Sequence, residues 1–202
     1  MVVAASNAVL RAHGHATLPA EAIIQGMVLP TAPRMGAHAG EADPLLQRRL
    51  AEEFYRQAHE LTGLARPYAG VERLLATAHA LGIRQGVVSN NQGALVRRFM
   101  GQADCARFCQ VIWGEEDVPA PKPDPRGITA AGQALGGLDG CIYVGDGITD
   151  VLGALGAGMP VIGVTWGIHP RLEMEAMGFD ALVDSIAELA AALALDAVSE
   201  PP

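Results

Sequence analysis

Four side chains in this sequence are of types that act on anions: Ser89 in VVSNN, Lys122 in VPAPKPDP, and Asp146 and Asp150 in CIYVGDGITD. Asp146 ends a short apolar run and Asp150 follows four residues later, so the two carboxylates can face one space. Carboxylates so placed repel each other unless a cation lies near them. Hard oxygen ligands of this kind suit Mg²⁺, which binds a few carboxylates together with phosphate and water. A plainer reading has Asp150 capping the helix that follows while Asp146 makes a turn. Lys122 lies between Pro121 and Pro123, which stiffen its loop and hold an ammonium at a defined place. Ser89 presents a hydroxyl near a helix start, where an anion is favoured, although Ser89, Asn90 or Asn91 could equally serve as a simple cap.

Elements that place these residues follow from the hydrophobic pattern. The first third carries helical periodicity only, in VVAASNAVLRAHG with Gly14 as its stop, in a short segment after Pro19, and in DPLLQRRLAEEFYRQAHELTG. Asp43 is placed to cap the last of these, with Pro44 at its first position and Gly63 at its end. GMVLPTAPRMGAHAGEAD reads as connecting loop. From about Pro67 the pattern becomes strand, loop, helix, repeated: IRQGVVSNN then GALVRRFMG, CQVIWG then RGITAAGQALG, CIYVGD then DVLGALGAG, PVIGVTWG then RLEMEAMG, ALVD then SIAELAAALAL. Val- and Ile-rich strands alternating with helices imply an α/β fold, a doubly wound parallel sheet, with residues 1–66 forming a small helical cap domain and 67–202 the core. In such sheets ligands bind beyond the carboxyl ends of the strands, which is where Ser89, Lys122 and the Asp146/Asp150 pair fall.

Composition narrows the partners. The chain has 202 residues, is half hydrophobic and carries a formal net charge of −8, with no basic stripe interleaved with aromatics. Nucleic acid is therefore not an expected partner, and an anionic substrate needs a local positive site. No apolar run reaches the ~20 residues of a membrane helix, so no membrane partner is expected. Three cysteines without CxxC spacing fit reduced thiols and a cytoplasmic setting. The terminal DAVSEPP reads as a frayed tail.

The three motifs in this order resemble those of the haloacid dehalogenase (HAD) superfamily of phosphatases: VVSNN its second, Lys122 in PKPDP its third, YVGDGITD its fourth. PYAGV, VPAPKPDP, AGMPVIGVTWG and ALVDSIAEL are similar to the phosphoglycolate phosphatase branch. The resemblance implies a Mg²⁺-dependent hydrolase acting on a small phosphorylated metabolite. Ser89 and Asn90 then bind the phosphoryl group, Lys122 neutralises charge on it, Asp146 holds the metal, and Asp150 is either a further ligand or a supporting partner. The cap helices would close over the substrate and select it.

One part of that pattern is absent. The family's first motif, a strand ending in DxDGT, supplies the nucleophile that becomes aspartyl-phosphate, and no Asp-x-Asp pair occurs anywhere in this sequence. The resemblance also places that first core strand in the middle of the sheet, between the strands ending at Ser89 and Asp146. Two expectations follow: a strand and loop of roughly 15–20 residues that precede Met1 in the native protein, or a non-catalytic remnant that binds a phosphate compound or a partner chain. Donation of the central strand by another chain is a third.

Weaker signals read as structural. His13 and His15 in HGH lie in a loop between helices, and EEDV, Glu115 to Asp117, reads as a solvated turn. Trp166 and His169 could either approach the site or simply pack. Phe54, Ala58 and Leu61 form a packing stripe within the helical unit.

Overall fold

The structure, a computed structural model, describes residues 1–195. The chain divides into two compact units between Arg66 and Pro67.

The first unit is all helical: α1 (Val2–Ala12), α2 (Ala20–Gln25), α3 (Thr31–Ala39) and α4 (Pro44–Glu60). α4 starts as its sequence dictates, with Asp43 accepting from Leu45 N at 2.9 Å and Pro44 in the first turn. Its buried face carries Leu50, Ala51, Phe54 and Ala58, which pack with Ala5, Val9 and Leu10 of α1 and Met35 of α3 in the unit's interior. The segment expected to be a loop, GMVLPTAPRMGAHAGEAD, instead forms a 3₁₀ turn over Gly26–Val28 and then α3. Its glycines and prolines obscured the helix. Pro30 and Pro33 fall at the N-cap and in the first turn, where no amide is required, and Gly40 closes the helix in the left-handed region at φ 69°.

The second unit opens with α5 (Val71–Ala80), a helix the strand-led reading of this region did not name. Then follow β1 (Gly86–Val88), α6 (Gly93–Gln102), β2 (Val111–Trp113), α7 (Arg126–Ala134), β3 (Tyr143–Gly145), α8 (Ile148–Gly156), β4 (Val161–Val164), α9 (Arg171–Met174), β5 (Ala181–Val183) and α10 (Ile186–Ala192). Every strand pairing is parallel, as an α/β fold requires. One core cluster joins Ile128 of α7, Val151 and Ala154 of α8 and Val161 of β4; a second joins Ile162, Val183 and Leu189. Residues 196–202, read above as a tail, lie outside the described residues.

The sheet is split. β1 pairs with β2, and β3, β4 and β5 pair in that order, but among the described residues no ladder joins β1 to β3. Ser89 N donates to Trp113 O and Gln110 N to Gln85 O, so alternation turns the main-chain groups of Gly86 and Val88 to the other edge. In β3, Tyr143 N donates to Pro160 O, which likewise turns Val144 away from β4. Among the described residues the facing edges of β1 and β3 thus have no strand beside them.

Candidate active site

Ser89, Lys122 and Asp146 sit just past the carboxyl ends of parallel strands or in the loops that follow them, and Asp150 lies in the first turn of the helix after β3, all within the second unit. Lys122 is the hub. Its Nζ donates to Asp150 Oδ1 at 2.6 Å, to the Tyr143 hydroxyl at 2.8 Å and to Val88 O at 3.0 Å. An ammonium has three protons, and these partners use all three. The Lys122 and Asp150 side chains are only 11% and 9% exposed, so the pair is buried and holds its charges because they hold each other. Burial acts to lower the pKa of Lys122, but the Tyr143 oxygen and the Asp150 carboxylate outweigh it and the net shift is upward.

Asn90 fixes the backbone of that lysine. Its Oδ1 accepts from Lys122 N at 2.8 Å and its Nδ2 donates to Lys122 O at 2.7 Å, so the amide expected to line a phosphate pocket is engaged at both ends as a clamp. Ser89 Oγ accepts from Asn91 N at 3.1 Å, closing a turn after β1; the hydroxyl proton is not used in that bond.

Asp146 and Asp150 are close but not equivalent. Asp150 lies in the first turn of α8, and its Oδ2 accepts from Asp146 N and Gly147 N, each at 3.1 Å. With Lys122 and the Tyr143 hydroxyl on Oδ1, both its oxygens are occupied. Asp146 accepts only from Ile168 N, at 3.0 Å through Oδ2, and among the described residues its Oδ1 takes no hydrogen bond. The described residues hold no group of three or more His, Cys, Asp or Glu side chains arranged for a metal. The donor set therefore fits a hard cation through Asp146 alone, with further oxygen ligands needed from elsewhere.

Tyr143 is the site residue that strand periodicity did not single out. Its hydroxyl lies 3.3 Å from both Val88 O and Asp150 Oδ1, and its pKa is pushed up to about 12 by burial, with Lys122 pulling it down and Asp150 adding to the rise. A polar-tipped aromatic on an apolar strand was the signal, since such a hydroxyl needs a partner when it is covered. Lys122 had a stronger signal still: it is the only lysine in the sequence.

Neighbouring candidates have partners of their own, and the His169 ring lies beside Gly147 in the Asp146 loop. EEDV is more than a solvated turn, because both Glu116 oxygens accept from Gly93 N at the start of α6 and Asp117 bonds Gly114 N and Arg97. Those bonds, the Gly114 amide first and Arg97 next, hold the Asp117 carboxyl below its ordinary value. Trp166 packs on the Ile162 cluster, and His169 pairs with Glu173 at 3.1 Å. His13 pairs with Glu53 at 2.8 Å within the helical unit.

A hydroxyl, an ammonium and a carboxylate pair thus follow successive parallel strands of an α/β core, with the lysine tied to one of the two aspartates. Residues 1–164 match the family described as haloacid dehalogenase-like hydrolase, and the chain belongs to that family. It is 28% identical over 168 residues to a phosphoglycolate phosphatase of Xylella fastidiosa, covering 82% of this chain and 73% of the relative. With a phosphoglycolate phosphatase of Agrobacterium fabrum it shares 33% identity over 156 residues, 76% of this chain and 64% of the relative. In fold it is similar to a haloacid dehalogenase-like hydrolase of Streptococcus pneumoniae, at TM-score 0.80 and 17% identity over 95% of this chain and 90% of the other. Among the described residues no helix is long and apolar enough to cross a membrane.

Proposed function

We propose that this chain carries the supporting half of a Mg²⁺-dependent phosphatase for small phosphate monoesters of the phosphoglycolate type, and that the nucleophilic carboxylate arrives on a strand seated between β1 and β3. The carrying observation is that Lys122, from the loop after β2, reaches into the split of the sheet and bonds the outward-facing Val88 carbonyl. A parallel strand in the split would offer its own N–H to that carbonyl. Lys122 Nζ would then regain one proton for the incoming carboxylate and the phosphoryl oxygens. The same strand would also pair the outward main-chain groups of Gly86 and Val144.

Under this reading Ser89 Oγ–H donates to a phosphoryl oxygen while still accepting from Asn91 N. Asp150, with both oxygens engaged, orients Lys122, and Asn90 keeps the Lys122 backbone in place. Asp146 Oδ1 is the oxygen available to Mg²⁺, which when bound supplies charge neutralisation on the transferring phosphate. Attack on phosphorus at this site is chiefly a matter of positioning and of stabilising charge on oxygen.

A second reading is favoured by one observation, the lack of any Asp-x-Asp pair in the sequence: the chain binds a phosphate compound or a partner without turnover. One experiment separates the two. Turnover of 2-phosphoglycolate and p-nitrophenyl phosphate with Mg²⁺ is measured for the 202-residue chain and for a chain extended by the in-frame codons preceding Met1. Turnover by the extended chain only, lost in its Lys122→Met variant, supports the phosphatase reading. An upstream stop codon together with phosphate binding but no turnover supports the binding reading.

A further inference from the structure

Arg34 and His38 stand four residues apart on one face of α3, the first buried in the helical unit and the second half-buried. Arg34 is 4% exposed. Its guanidinium lies over the Phe54 ring of α4, 4.8 Å from the centroid, so its face is covered and its edge is left to bond. Among the described residues that edge has no partner: Nε and Nη2 are both buried without a hydrogen bond, and so are both ring nitrogens of His38. Nε and Nη2 form one side of the guanidinium, the pair of parallel N–H groups that grips a carboxylate or a phosphate with two bonds.

No charge among the described residues answers this one. Among the described residues Arg34 forms no ion pair, and the one electrostatic neighbour that raises its pKa is Tyr55, against a larger lowering by burial. Tyr55 is itself bonded to Thr31 Oγ1 at 2.9 Å. His38 feels the same surroundings, its pKa lowered by burial and then by the Arg34 charge. The arrangement also has a fitted wall. A Cβ built on Gly26 would lie 2.5 Å from His38 Nε2 and 3.5 Å from Arg34 Cγ, so the Gly26–Val28 turn lies close against the His38 ring. Water can complete hydrogen bonds at such a place, but it brings no charge, and a buried cation is stable only beside an opposite one.

We propose that Arg34 and His38 form a binding site for a small oxyanion, a phosphate or a carboxylate, within the helical unit. The Arg34 edge holds two of its oxygens and one His38 N–H a third contact. The site is independent of the Lys122 centre and of the phosphatase reading.

The test is ¹H–¹³C NMR of the histidine Cε1 signals of the full chain, the His38 signal being assigned with His38→Gln. Inorganic phosphate and acetate are titrated separately at constant ionic strength set with NaCl. A saturable shift of the His38 signal, with the other histidines still, is expected for at least one of them, and the tighter of the two identifies the source of the oxyanion. In Arg34→Gln, which keeps a polar side chain, the midpoint moves at least tenfold higher. A second readout covers loss of folding in that variant: the melting temperature of the wild type rises with the anion that shifts His38, whereas that of His38→Gln rises less. Absence of any saturable His38 shift to 50 mM of either anion, or an equal shift in Arg34→Gln, overturns the proposal.

Discussion

Each unit of this protein buries one long cation, and the two are treated in opposite ways. Lys122, in the α/β unit, has every proton assigned: a carboxylate, a phenol and a main-chain carbonyl. Arg34, in the helical unit, has an aromatic face beneath it and an unbonded edge. Desolvation costs both cations alike, so the difference lies in who supplies the counter-charge. For Lys122 it is Asp150, fixed in the first turn of α8 by two amides of the preceding loop. For Arg34 no described side chain supplies it. A cation whose partner is built in belongs to the permanent framework of a site; one without a partner belongs to a site that is completed from outside.

The comparison is broken most severely at Asp150. Asp150→Asn leaves the Lys122 ammonium buried without a counter-charge, and a loss of about 3–5 kcal/mol in unfolding free energy is expected, read from urea titration. Loss of less than ~1 kcal/mol would mean that the ammonium is solvated and the pair is not a framework element.

Lys122→Met should cost less, about 1.5–3 kcal/mol, the range for hydrogen bonds to charged groups, because Asp150 keeps three other donors. Since Lys122 is the sole lysine, reductive ¹³C-methylation labels it and the amino terminus only. Native protein should resist labelling at Lys122 and accept it once unfolded in urea.

Tyr143→Phe removes one buried partner and should cost about 1 kcal/mol near neutrality. It also separates the alkaline limbs. The folded pKa of Tyr143, pushed up to about 12, stands above the ordinary value of about 10. Its contribution is therefore complete below about pH 10 and is lost as pH rises through the folded value. Lys122, also raised, adds loss in the same direction. Wild type should accordingly lose stability more steeply above about pH 10 than Tyr143→Phe; parallel curves would place the phenol outside the network.

The smallest effect is expected at Arg34. In NaCl buffer free of phosphate and carboxylate, Arg34→Met should change unfolding free energy by no more than about 1 kcal/mol, because relief of an unpaired buried charge offsets the lost stacking on Phe54. A loss as large as that at Asp150 would show that Arg34 already has a counter-charge in the protein and would erase the contrast between the units.

Much of this architecture was legible in the sequence. Alternation of Val- and Ile-rich runs with helical periodicity set the parallel α/β core, and the Asp43–Pro44 start set α4, because side-chain period and cap chemistry are local properties. Helix α3 was hidden for the converse reason: prolines and glycines signal loops by type, and only their positions at the two ends of the segment make them compatible with a helix.

At the site, the sequence determined which residues follow which strands, and hence that Ser89, Lys122, Asp146 and Asp150 would share one end of the core. Their division of labour was decided by tertiary structure. Asp146 and Asp150 are the same residue type four positions apart, yet one has both oxygens filled and the other keeps one open. Asn90, one residue from Ser89, is spent on the Lys122 backbone 32 residues away. The reason is physical. Spacing fixes where a side chain starts, but hydrogen-bonding capacity is finite, and which partners exhaust it depends on loops brought together by strands that are distant in sequence.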